Sequence, residues 1–221
     1  MQPPAGDSSV TRRTALVVGG SGRIGGAVAR ALAAEGFAVA VHCHGALAEA
    51  RALAADLGPP SLAVTADLRE EGAVRALVHR VCDHFGRLDA VVVAAHRSVA
   101  TPLAETTGSD LRTHYDVNVV GPFVVAQEAL AAMAHQPEGG AICLVAAAEE
   151  CRPRPGDLAA HVSRGALPAL AAALAAECAA TAPRVHVACV GAAGDGAAAD
   201  AARAAVAFVT GISRGAAAGA S

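Results

Sequence analysis

Lysine is absent from this chain: all 17 basic residues among its 221 are arginine. That excludes lysine Schiff-base chemistry, a P-loop lysine and any intact Tyr–Lys proton-transfer pair. Tryptophan is also absent, Tyr115 is the only tyrosine, and there are four phenylalanines. Large side chains are therefore scarce, and the core must be built mainly from small ones, alanine supplying 60 of the 221 residues. No basic excess exists either, since the net charge is −3, so nothing calls for nucleic acid. The opening MQPPAGDSSVTRR lacks the apolar run of a secretory signal. The longest uncharged apolar stretch, Gly165 to Ala176, has 12 residues, short of the roughly 18–20 that span a bilayer. Six cysteines (Cys43, Cys82, Cys143, Cys151, Cys178 and Cys189) show no CxxC spacing. They read as reduced, buried thiols of a cytoplasmic protein rather than a disulfide frame, and no metal cluster is evident.

What is present is an alternation of short apolar runs with longer alanine-rich ones. Strands are expected at Thr14–Val18, Phe37–His42, Leu62–Thr65, Leu88–Ala95, Ala141–Ala146 and Val185–Val190. Helices are expected at Ile24–Glu35, Ala46–Leu57, Glu70–Phe85, Asp110–Ala134 and Leu158–Ala180. Continuously apolar strands are those covered on both faces. The alternation therefore predicts one α/β domain over 14–214, a doubly wound, Rossmann-type parallel sheet with helices on both faces. Residues 1–13 read as a flexible leader and the low-complexity 215–221 as a flexible tail.

The first strand runs into Gly19-Gly20-Ser21-Gly22-Arg23-Ile24-Gly25 and then directly into a helix. A strand, glycine-rich turn and helix leave backbone N–H groups and the positive helix end facing one point, which suits a pyrophosphate. The position of the loop in the first βα turn makes it a dinucleotide-binding candidate, with Gly19, Ser21, Arg23, Ile24 and Gly25 at the ligand. The second strand ends in His42-Cys43-His44, without the acidic residue that would accept from the ribose hydroxyls of NAD. His44 lies at that ribose, and Arg23 could meet a 2′-phosphate, so NADP is favoured over NAD. His42-x-His44 reads as loop polarity, because no third metal ligand stands nearby.

These landmarks resemble the short-chain dehydrogenase/reductase family over Thr14 to about Gly211. They are GGSGRIG at Gly19–Gly25, Asp67-Leu68 after the third strand, Asn118 within NVVGPF, and Val209-Thr210-Gly211. Arg23 and the run Ala34–His44 resemble the pteridine-reductase branch in particular. The resemblance implies that Asp67 and Leu68 touch the cofactor and that Asn118 belongs to the catalytic set. It also implies a Tyr-x-x-x-Lys pair, but Ala160 and Arg164 stand there, and Ala147 stands where a serine orients the carbonyl. His96 replaces a glycine beside the cofactor. The stretch from Gly191 to Gly211 is too short for the usual helical lid, and the last strand, Ile212–Ala216, looks weak.

Substitute groups for the chemistry are His96, Tyr115 (one turn before Asn118) and Arg164, which could still hold ribose hydroxyls but cannot release a proton at neutral pH. Glu149, Glu150 and Asp157 flank this region without forming an acid–base pair. Three functions follow. The favoured one is a dinucleotide-binding pseudoenzyme or scaffold subunit. A homo-oligomer, or a hetero-oligomer with an active homologue, is expected through Asp110–Ala134 and Leu158–Ala180. The alternatives are an NADPH-dependent oxidoreductase with a non-standard proton donor and a cofactor-independent lyase, isomerase or cyclase.

Overall fold

A computed structural model describes residues 12–147, 153–179, 185–192 and 196–218. Six strands form one parallel sheet: β1 (Thr14–Val18), β2 (Ala38–Cys43), β3 (Ser61–Thr65), β4 (Ala90–Val93), β5 (Gly140–Ala147) and β6 (Val185–Ala192). Their order is β3-β2-β1-β4-β5-β6, so the chain reverses its direction of travel between β1 and β4. This is the doubly wound α/β architecture that the alternating apolar runs imply. Every residue of β1 and β2 is buried, as continuous apolar strands require.

Alternate strand residues feed two separate cores. Leu16, Val18, Val91, Val93, Ile142 and Leu144 pack on α3 (Glu71–Phe85), α5 (Gly121–Met133) and α7 (Leu167–Cys178). Val17, Val39, Val41, Val92 and Cys143 point the other way, onto α1 (Arg23–Ala34), α2 (Leu47–Leu57) and α8 (Ala197–Ala218). Alanines at Ala29, Ala50, Ala54, Ala202 and Ala205 let these helices lie close to the sheet.

The helix expected over Asp110–Ala134 is three segments: α4 (Gly108–Tyr115), a π-helical turn (Asp116–Val120) and α5. Pro122 has no N–H to give the carbonyl four residues back, which favours a widened turn there. Likewise Leu158–Ala180 divides into α6 (Leu158–Gly165) and α7, with Pro168 in the first turn of α7. Taken across that break, Leu158–Cys178 is 21 residues and contains an 18-residue window of mean hydropathy 1.3, long and apolar enough by length and composition to cross a membrane. The uncharged stretch counted in the sequence understated this. In the fold, Leu167, Ala171, Leu174 and Cys178 of this segment are buried under the sheet.

The expected last strand is not formed. Ile212–Ala216 continues α8, which packs on α1, β5 and β6. Alanine is the strongest helix former, and an alanine-rich segment with one apolar stripe satisfies its own backbone more readily as a helix. Gly215–Ala218, assigned to the tail, belong to the same helix. Residues 1–11, Cys151 and the Glu149–Glu150 pair lie outside the described residues.

Candidate nucleotide site

The carboxyl ends of β1 and β4 part at the point where the strand order reverses, where ligands of open α/β sheets bind. A cleft of about 490 Å³ lies there. It is lined by Gly19, Ser21 and Gly22 from the first turn, by His42–His44 from β2, and by Asp67–Arg69 after β3. Ala94–Val99 after β4 and Val117 close it.

The glycine loop is dictated by crowding. Gly19 has φ +80°, and a Cβ there would stand 2.6 Å from the Ala95 backbone. At Gly25 a Cβ would stand 2.1 Å from the Gly19 carbonyl oxygen, so α1 can start this close to β1 only with glycine. Gly22, at the helix N-cap, offers no side-chain cap, and the first turn contains no acidic residue. The N–H groups of Arg23 and Ile24 have no partner within the helix, which leaves them and the positive helix end for an anion.

His42 fixes this loop from below, although the sequence suggested only loop polarity. It is 1% exposed on β2. Its Nδ1 accepts from the Gly19 N–H at 3.1 Å, and its Nε2 lies 3.1 Å from the Ala66 carbonyl oxygen. Those partners require the neutral Nε2–H tautomer, which donates to Ala66. Burial lowers its pKa from 6.5 to about 4, consistent with an imidazole that stays uncharged. One ring thus ties together the ends of β1, β2 and β3.

At the rim, Asp67 accepts from the Arg69 backbone N–H at 3.0 Å and from the Arg69 guanidinium at 2.5–3.0 Å. Arg69 holds the carboxyl down to about 2. His44 Nε2 stands 3.4 Å from the same carboxylate. The mouth of the cleft therefore presents a fixed anion and a guanidinium, with Arg97 on the opposite side.

Asn118 lies beneath the far wall and is fully buried. Its Oδ1 accepts from the Arg97 N–H at 2.6 Å, and its Nδ2 donates to the Arg97 carbonyl and the Ser163 hydroxyl at 3.0 and 2.8 Å. The amide is spent on joining the 96–98 loop to α6. Leu68 is set by Gly121, where a Cβ would meet the Leu68 Cβ at 2.8 Å.

Six of the sequence candidates line the cleft together: Gly19, Ser21, His44, Asp67, Leu68 and His96. Gly25 is packed behind the loop, Arg23 is exposed at the start of α1, and Tyr115 is half-buried on α4; none of these three lines the cleft. Ile24 and Arg164 meet His96 around a second cavity of about 10 Å³ beside β5. Arg164 is 7% exposed and donates to Asp157 at 2.9 Å. Beyond the candidates, the structure adds His42, Cys43, Arg69, Ser98, Val99 and Val117 to the lining. Arg69 was detectable from its spacing, two residues after Asp67 in a turn. The burial of His42 was not.

The cleft suits the adenosine diphosphate half of a dinucleotide in size, in its anion-directed N–H groups and in its glycine-only close approach. The cavity that Ile24, His96 and Arg164 line beside β5 holds about 10 Å³, close to the space one water occupies.

The family profile described as short chain dehydrogenase matches residues 13–204. The protein named as ketoacyl reductase 2 of the granaticin polyketide synthase from Streptomyces violaceoruber is 37% identical over 68% of this chain and 61% of its own length. Human 3-oxoacyl-[acyl-carrier-protein] reductase is 31% identical over 79% of this chain and 73% of that protein. The crystal structure of acetoin dehydrogenase from Enterobacter cloacae superposes with a TM-score of 0.72 at 28% identity, covering 78% of this chain and 69% of that one. The chain thus spans about 61% to 73% of the length of these relatives. Sheet order, glycine turn and sequence likeness agree that this chain belongs to the short-chain dehydrogenase family.

Proposed function

We propose that this chain is a nucleotide-binding member of the family that does not reduce carbonyls by the family's route and serves as a pseudoenzyme or scaffold subunit. The observation that carries this is the pair Ala160 and Arg164, at the positions of the expected proton donor and its lysine. Ala160 is fully buried and has no proton to give, and the Arg164 guanidinium is held by Asp157 and stays charged. Asn118, whose amide bonds the 96–98 loop and Ser163, fits a positioning role.

NADP remains the favoured ligand over NAD in this reading. Support comes from the absence of an acidic residue on β2 beyond Ala38 and from Arg69 and His44 at the rim, rather than from the exposed Arg23. The pteridine-reductase likeness of Ala34–His44 points the same way. Assembly through the helices flanking the site is part of the proposal, supported by Val120 and Phe123 at α5 and by Leu158 and Val162 on α6, all exposed. A reducing, cytoplasmic setting is supported by Cys43, Cys82 and Cys143 standing as free thiols.

A second reading, an oxidoreductase with a non-standard donor, is favoured by one observation: His96 lines both cavities. Following reduced-nicotinamide absorbance with a panel of ketones, β-ketoacyl thioesters and a pterin separates the two. The first reading expects no turnover above the buffer rate. Turnover that His96→Ala abolishes would establish the second.

A further inference from the structure

We propose that the outer edge of β3 is a docking site for an extended acidic peptide of a partner protein, which adds to the sheet as a further strand; this is independent of the nucleotide-binding reading above. β3 ends the sheet, with β2 as its one neighbour. The Ala66 N–H donates to the Cys43 carbonyl at 3.3 Å, and the Val64 carbonyl accepts from the Cys43 thiol at 3.8 Å. Val64 and Ala66 thus turn their backbone groups towards β2. Backbone direction alternates along a strand, so Ser61, Ala63 and Thr65 turn theirs outward, where no strand meets them. Such an edge is a template for another chain.

Charge selects the occupant. α2 and α3 lie on opposite faces of the sheet, and a groove of about 460 Å³ follows the edge between them. Its lining includes Ser61 and Ala63 of β3, Arg51 and Ala54 of α2, and Arg80 of α3, with no Asp or Glu among the described residues. Arg51 and Arg80 are exposed, and neither has an ion-pair partner among the described residues. At the same end, Arg12 donates to the carbonyl of Pro59, another lining residue, at 3.2 Å. Successive side chains of an added strand point to opposite faces, so two consecutive carboxylates would serve Arg51 on the α2 side and Arg80 on the α3 side. A second copy of this chain suits the edge poorly, because pairing β3 with β3 sets these arginines against their own kind. The class assigned to the groove is therefore an extended segment with two consecutive acidic residues, held by main-chain bonds to Ser61 and Ala63 and by the two guanidiniums.

The test is calorimetric titration of the full chain with the end-blocked peptide Thr-Val-Thr-Glu-Glu-Thr-Val-Thr and with its Gln-Gln counterpart. The acidic peptide is expected to bind about tenfold tighter or more. Arg51→Ala and Arg80→Ala are each expected to weaken it about three- to tenfold, with circular dichroism confirming that both variants fold. Strand addition has its own readout. Bound peptide is expected to slow amide exchange at Ser61 and Ala63. N-methylation of alternate peptide residues is expected to abolish binding in one phase and spare it in the other, because one edge of the peptide faces β3. Equal binding of the two peptides, arginine variants that bind like the wild type, or tolerance of methylation in both phases would each overturn the proposal. Absence of binding at about millimolar peptide would overturn it as well. A dimer of the full chain that Ala63→Pro, which removes one outward N–H, converts to folded monomer would assign the edge to a second copy instead.

Discussion

Replacing His42 by valine should destabilise the fold and also change how its stability responds to acid. The ring is 1% exposed and holds two backbone groups, the Gly19 N–H and the Ala66 carbonyl. Valine fills most of the volume but leaves both groups buried without these bonds, at about 1–3 kcal/mol each. At pH 7.5 the variant should therefore be about 2–5 kcal/mol less stable in urea unfolding followed by far-ultraviolet circular dichroism. The acid response carries the second half of the prediction. Well above pH 6.5 the imidazole is neutral in both folded and unfolded chains and contributes no pH dependence. As pH falls, the unfolded ring takes a proton while the folded ring, titrating near 4, refuses it. Stability is lost through that window and the loss is complete below it, amounting to about 3 kcal/mol. His42→Val should lack this component, so the gap between wild type and variant narrows from pH 7 to pH 4. His42→Gln, which can still accept and donate, should recover part of the stability at pH 7.5. A wild-type minus variant difference that stays flat across the window would refute the buried, neutral imidazole.

Three further outcomes follow from the same geometry. Gly25→Ala forces a Cβ to 2.1 Å from the Gly19 carbonyl oxygen, so it should cost about 3 kcal/mol or more in urea unfolding and abolish nucleotide binding by calorimetry. Asn118→Ala strips three hydrogen bonds from the 96–98 loop and Ser163, and should cost about 2–4 kcal/mol while raising amide exchange at Arg97. Arg69→Ala should bring the Asp67 carboxyl up from about 2 towards the ordinary aspartate range, read by carboxyl carbon-13 chemical shift against pH. A carboxyl that still titrates near 2 in the variant would show that Arg69 is not what holds it down.

Local periodicity and turn chemistry are properties of neighbouring residues, and the sequence by itself determined what depends on them. The six strands, the parallel α/β class and the glycine turn at Gly19–Gly25 were legible because uninterrupted apolar runs and closely spaced glycines permit few other structures. Asp67 and Leu68 stood out from their resemblance to a family motif, and the structure puts them in the lining of the cleft. The fate of Ile212–Ala216 was not legible. A run of small and apolar residues suits either a strand or a helix, and packing on α1, β5 and β6 decided for the helix. His42 shows the same limit at the site. Its neutrality comes from burial, and its tautomer from Gly19, 23 positions away, and Ala66, 24 positions away, which approach it only when β1, β2 and β3 lie side by side. His96 and Arg164 are 68 positions apart in the chain, and only the crossing from β4 through α5 to α6 sets them around one small cavity.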